Sequence, residues 1–154
     1  MHAVAAAREA SDLRDPPQRA GAKVTTRLTL SAPVLDAPDP HALAAFYQRL
    51  LGWTVVQNEP NWVKLRPPGG GTGLSFQTEP IYRTPTWPAV EGAQQISAHL
   101  DFEVDDLEAA CEHAEATGAV LADFQPDDDV RVYLDPVGHP FCLFLPEPES
   151  PSEL

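Results

Sequence analysis

The sequence predicts an α+β fold built from two tandem modules, each ordered strand, helix, strand, strand, strand (βαβββ). Three observations predict it. The same order of elements runs from about Arg27 to Glu79 and again from about Gln95 to Leu145. Each predicted helix starts behind an aspartate, Asp39 in the first half and Asp106 in the second. A carboxylate at that position accepts the unpaired amide protons of the first turn. Each helix then stops at a glycine, Gly52 or Gly118, able to take the left-handed conformation of a C-terminal cap. A repeated supersecondary unit matters for function, because two such units can build one cavity between them.

The elements follow in order. Pro40 fits the first helical position, where its missing N–H costs nothing. The helix Pro40 to Leu51 places Leu43, Phe46, Tyr47, Leu50 and Leu51 at helical spacing. Alternating runs follow at Trp53 to Gln57 and Asn61 to Arg66, joined at Asn58-Glu59-Pro60. The run Pro67-Pro68-Gly69-Gly70-Gly71 predicts a loop, and Leu74 to Gln77 a further strand. Pro80 to Ala93 lacks periodicity and reads as a crossover between modules, pinned to the surface by Tyr82 and Trp87; a ligand-facing lid is the alternative.

In the second half, Gln95 to Val104 alternates. Ile96, Ala98, Leu100, Phe102 and Val104 make an apolar side, while Gln95, Ser97, His99, Asp101 and Glu103 make a polar one. The polar side must face water or a cavity. The helix Leu107 to Thr117 carries a weaker stripe of Leu107, Ala110, Cys111 and Ala114. Strands Ala119 to Phe124, Val130 to Leu134 and Phe141 to Leu145 complete the module, with turns at Pro126 to Asp129 and Asp135 to Gly138. The expected organisation is one domain, 24–145, divided into module one (25–79), crossover (80–94) and module two (95–145). Residues 1–23 and 146–154 read as mobile ends.

Composition narrows the function. A chain of 154 residues with 43% apolar content fills one core. A net charge of -13 speaks against nucleic acid and against an anionic membrane surface. No apolar run reaches the length of a membrane span. Charges at Arg8, Glu9, Asp12, Arg14 and Asp15 interrupt the opening stretch, so no signal-peptide core is read and the expected location is cytoplasmic. Two cysteines, Cys111 and Cys142, are too few for a disulfide scaffold and fit a reducing compartment.

The segments Asp39…Phe46-Tyr47…Leu50-Leu51-Gly52-Trp53, Asp105-Asp106-Leu107 and Asp135-Pro136-Val137-Gly138-His139-Pro140 together resemble the vicinal oxygen chelate superfamily. That superfamily includes glyoxalase I, extradiol dioxygenases, and bleomycin- and fosfomycin-resistance proteins. Arg66 to Gly70, Phe76-Gln77 and Thr86-Trp87-Pro88 are similar to its glyoxalase-like branch. The resemblance implies curved, mainly antiparallel sheets forming an open cup with helices outside. It also implies a divalent-metal site in those members that use one, with a ligand from the first and last strand of each module. Carried onto this chain, the four positions fall on Ala32 (or, one register on, Pro33), Ser75, His99 and Cys142. That is a poor set for a hard cation, which takes carboxylates. Gln77, on the strand face of Ser75, is a substitute.

His99 is therefore the leading candidate, with three open roles: a cavity-lining group bonded to a ligand or to Asp101, a metal ligand, or a general base. Cys142 reads as a buried thiol, or as a nucleophile whose pKa His99 depresses. Trp62 and Tyr133 would offer flat surfaces to a planar ligand, and Arg131 would pair with an anionic group, if their strand sides face the cup. Alternation leaves that side open. His139 reads as a turn residue, and His41 and His113 as exposed. Asp127-Asp128-Asp129 lacks the glycine and distal glutamate of a calcium loop, and Gly69-Gly70-Gly71 lacks the lysine of a phosphate loop.

The function expected is binding of a small organic molecule, in the manner of the resistance proteins, without a complete metal site and with no cofactor. A divalent-metal lyase, isomerase or dioxygenase with a reduced ligand set built on His99 is the alternative, and a homodimer with no small ligand a third. Whether the chain is an enzyme does not follow from its sequence.

Overall fold

The computed structural model describes residues 26–148. The expected N-terminal extension, 1–23, and residues 149–154 of the expected tail lie outside them. In chain order the elements are β1 (Val34–Ala37), α1 (Pro40–Leu51), β2 (Thr54–Glu59), β3 (Trp62–Arg66), β4 (Leu74–Thr78), β5 (Leu100–Glu103), α2 (Leu107–Thr117), β6 (Val120–Leu121), β7 (Val130–Leu134) and β8 (Pro140–Phe144). The fold is α+β, with two open four-stranded sheets ordered β1-β4-β3-β2 and β5-β8-β7-β6. Each module pairs its first strand parallel to its last and the remaining strands antiparallel. The two modules therefore repeat in topology as well as in element order.

Local chemistry fixes the helix ends. Asp39 Oδ1 accepts from the amides of His41 (3.0 Å) and Ala42 (3.3 Å), and Asp106 Oδ1 from Ala109 (3.0 Å). Gly52 (φ 69) and Gly118 (φ 111) close the helices in the left-handed region, where a Cβ would be strained.

One core joins the modules. Phe46 and Tyr47 of α1 lie in it with Leu65 and Phe76 of module one and Tyr133 and Phe141 of module two. Tyr47 stacks on Phe76 with centroids 5.5 Å apart and meets Phe141 at 6.3 Å. Each fully buried aromatic of this kind contributes on the order of 2–3 kcal/mol through removal of apolar surface from water. Because α1 touches core-facing residues of both sheets, those faces share one interior. The opposite face of each sheet lies outside this core and is only partly covered.

Polar contacts reinforce the joint. The Tyr47 hydroxyl donates to Asp135 Oδ2 at 2.8 Å, and the Tyr82 hydroxyl to the Val137 carbonyl at 2.7 Å. His113 Nε2 lies 2.9 Å from the Leu50 carbonyl oxygen and so donates to it, tying α2 to the end of α1.

The expected ten-residue strand from Gln95 is shorter in the structure. Ser97 adopts φ 55, and the Ala98 amide bonds the Ile96 carbonyl at 2.6 Å. That tight turn breaks the pleat, so β5 begins only at Leu100. The alternation of Gln95 to His99 has no structural counterpart. The second strand of module two likewise shrinks from Ala119–Phe124 to Val120–Leu121.

Candidate functional site

Ladder register decides which side chains share the open face of module two. Asp101 pairs with Cys142, and Cys142 with Val132, across β5, β8 and β7. These three therefore point the same way, while Leu100, Phe102, Phe141 and Leu143 turn into the main core. His99 precedes the strand and brings Nε2 to 3.1 Å from Asp101 Oδ1. Ligand atoms of His99, Asp101 and Cys142 all lie within 4.8 Å of one another.

The thiol of Cys142 is not primed as a nucleophile. Burial pushes its pKa up to about 11, with the charge of Asp101 and a hydrogen bond to it acting in the same direction. The carboxylate favours the protonated thiol, whereas a nucleophilic cysteine needs a neighbour that stabilises the thiolate. Cys142 also packs with Ala122 and Val132 in a small apolar cluster partly covered by Trp87 of the crossover. The Trp87 indole N–H donates to the Phe124 carbonyl at 3.1 Å.

Beside this cluster lies a cavity of about 670 Å³. Its polar lining is acidic, from Asp101, Asp127, Asp129 and Glu147, and its apolar lining includes Val130 and Phe144. No local signal in the sequence marks the Asp127–Asp129 turn as bordering Asp101. Only the pairing of β7 with β8 and β5 brings the two together.

The remaining candidates are distributed differently. Trp62 and Gln77 are ladder partners, as are Gln77 and Asp36, on the open face of module one. Gln77 Nε2 donates to Asp36 Oδ1 at 2.7 Å, and Trp62 Nε1 to Gln57 Oε1 at 3.3 Å. Ser75, on the same face, is buried, and its hydroxyl has no partner among the described residues. Its ladder neighbour Lys64, which sequence reasoning missed, is also buried and contacts Ser31 Oγ.

Arg131 and Tyr133 do not reach an open face. Tyr133 is buried in the main core, stacks on Phe141 at 6.0 Å, and donates to Glu115 of α2 at 2.9 Å. Burial first, then hydrogen bonding to Cys111 and Glu115, raises its pKa. Arg131 shares that side of β7, and its Nη1 donates to the carbonyls of Asp127, Asp128 and Val130. Its donors on that nitrogen are thus spent on a backbone turn. The condition for their ligand roles, a strand side facing the cup, is not met.

A family model described as a glyoxalase-like domain matches residues 32–144. The chain belongs to the glyoxalase-like domain family. Solved structures agree on the fold. A glyoxalase/bleomycin resistance protein/dioxygenase family enzyme from Burkholderia phytofirmans PsJN is 20% identical, with 77% of this chain and 98% of that one covered, at a TM-score of 0.57. A glyoxalase/bleomycin resistance protein/dioxygenase from Nocardioides is 18% identical, with 84% and 91% covered, at 0.56. TnmS3, an antibiotic binding protein from Streptomyces sp. CB03234, is 18% identical, with 81% and 100% covered, at 0.50. No curated protein matches the chain. The family match places this glyoxalase-like chain in the vicinal oxygen chelate superfamily, and the solved structures share its fold.

The four-position metal site that the superfamily resemblance implies does not fit these residues. Ala32 offers no donor, and the Ser75 hydroxyl is enclosed on the sheet of the other module. Among the described residues, the donor cluster draws all its members from module two. No catalytic step through a metal follows from this arrangement.

Proposed function

We propose that this glyoxalase-like protein binds a small organic cation of amphipathic character on the open face of module two, and holds it without chemical conversion. The observation that carries the reading is the 670 Å³ cavity whose polar lining is carboxylate and whose remaining lining is apolar. Cavities of this size and mixed lining suit drug-sized ligands. Four carboxylates around one space disfavour an anionic guest and attract a cationic one. The protonated Cys142 and the incomplete metal set support binding over catalysis. The fold likeness to TnmS3, described as antibiotic binding, is consistent with it.

The test is a thermal-shift screen of aromatic amines and amidines against their neutral analogues. Ligand that binds only the native state raises the melting temperature. Cationic compounds should raise it and neutral analogues should not, and the shift should weaken with salt as the carboxylates are screened. Asp101→Asn should weaken binding about two- to fivefold, the worth of one partly exposed ion pair. Equal shifts from neutral analogues would remove the reading.

A second reading rests on the His99–Asp101–Cys142 cluster itself. Imidazole, carboxylate and thiolate together are a donor set that zinc accepts. Elemental analysis of protein purified without chelator, beside His99→Ala, separates the two. Near-stoichiometric metal that vanishes in the variant favours this second reading. The two open sheet faces are also surfaces a second copy could cover, and light scattering in solution would count the copies.

A further inference from the structure

A second cavity, of about 410 Å³, lies between β1, the crossover and the Gln95–Ala98 lead into β5, and His139 lines it. Behind His139 stands Asp135, whose side chain is 0% exposed. Asp135 accepts four hydrogen bonds, from the Tyr47 hydroxyl, the amides of Val137 and His139, and the His139 ring through Nδ1 at 2.8 Å. A buried carboxylate bonded to Nδ1 fixes the proton of the neutral ring there and leaves Nε2 as an acceptor. The nearest donor to Nε2 is the Tyr82 hydroxyl at 3.5 Å, and that hydroxyl already donates to the Val137 carbonyl at 2.7 Å. His139 lines the cavity, and its Nε2 has no hydrogen-bond donor committed to it among the described residues.

The rest of the lining narrows the guest. Leu35, Tyr82, Pro85 and Ile96 give apolar walls. Asp36, Glu79 and Arg83 also border the space, so it carries charges of both signs, and each carboxylate has an oxygen engaged, with Gln77 Nε2 and the Ile81 amide. The wall at Ser97 is held by a turn whose φ of 55 few non-glycine residues adopt.

We propose that this cleft is a separate binding site for a small neutral aromatic molecule carrying one hydroxyl or N–H donor, which bonds His139 Nε2. It shares no lining residue with the acidic cavity and does not rest on the function proposed above.

The probe is 2-naphthol, set against 2-methoxynaphthalene, which keeps the ring and loses the donor. The readout is the His139 ring signals and the amides of Gln95 to Ala98 in full-length protein by NMR. The expected result is binding of 2-naphthol at both sets of signals, with the methoxy compound about tenfold or more weaker, the worth of one good hydrogen bond. Ala98→Trp, at an exposed position on the cavity wall, should abolish the shifts by filling the space. His99→Ala should leave them unchanged. Equal binding of the two compounds, shifts that persist in Ala98→Trp, or no shift at about 1 mM probe would overturn the proposal.

Discussion

Replacing Tyr47 with phenylalanine removes a single hydroxyl from the joint between modules and leaves the aromatic packing in place. That hydroxyl donates to Asp135 Oδ2 at 2.8 Å in a site where the acceptor side chain is 0% exposed. A hydrogen bond to a charged group contributes about 1.5–3 kcal/mol. Asp135 keeps three other donors, two amides and the His139 ring. The loss should therefore fall near 2 kcal/mol, or roughly 4–8 °C in melting temperature for a chain of this length.

The pH dependence gives an independent check. Burial, then the charge of Asp135 and the hydrogen bond to it, raise the Tyr47 pKa well above 10.0. Above about pH 10 the unfolded chain loses this proton while the native one keeps it, so stability falls as pH rises. The contribution is complete below the unfolded value and lost on the way up to the folded one. One such group lowers stability by about 1.4 kcal/mol per pH unit in that window. Phenylalanine has no proton to lose. The gap of about 2 kcal/mol at pH 7 should accordingly narrow to roughly 0.6 kcal/mol at pH 11. Urea denaturation followed by tryptophan fluorescence at both pH values measures it. A loss under about 0.5 kcal/mol at pH 7, or a gap that stays constant to pH 11, would refute the reasoning.

Other outcomes follow from single contacts. A Cβ on Gly73 would lie 2.4 Å from the Leu65 carbonyl oxygen, so Gly73→Ala must push β3 from β4 and should cost about 1–3 kcal/mol by denaturant titration. With its pKa at about 11, Cys142 in a Cys111→Ala background should react with iodoacetamide about two orders of magnitude more slowly at pH 8 than an ordinary thiol. Its rate should climb about tenfold per pH unit, and fast labelling at neutral pH would contradict the raised value. Asp39→Ala should cost about 1 kcal/mol by thermal denaturation as two amides at the start of α1 lose their acceptor.

What was legible in the sequence was what is local. Asp39, Asp106, Gly52 and Gly118 mark the helix ends because capping depends on residues within one turn. Strand period also puts Asp101 on the polar side of its strand, opposite Leu100 and Phe102, but it leaves the side of Trp62 open, and Gln77 and Cys142 are singled out by the superfamily resemblance. Alternation cannot choose a side at β7, where both faces are buried. Val132 lies under the crossover with Cys142, and Tyr133 enters the main core with its hydroxyl led out to Glu115. A Val-Arg-Val-Tyr-Leu run carries no mark of which face α2 covers, and a one-residue choice inverts every side chain. Distance defeated the rest. Asp135 resembles an ordinary turn residue until Tyr47, 88 residues away, is placed against it.

The repeat shows where the chain is constrained and where it is free. Equivalent ladder positions align Leu35 with Phe102, Phe76 with Leu143, and Leu65 with Tyr133, all on core-facing sides. These pairs differ in size yet stay apolar or aromatic, because both modules must fill one interior. On the open faces the corresponding rows are Val34, Ser75 and Lys64 in module one, against Asp101, Cys142 and Val132 in module two. There the charge has changed sign and moved from a middle strand to an edge strand. Burial of a shared core cannot explain that difference, since neither row packs into it. A ligand that met both faces symmetrically would not be served by such rows either. The divergence instead suits a guest read by module two, where an acid on the edge strand borders a cavity lined with further acids.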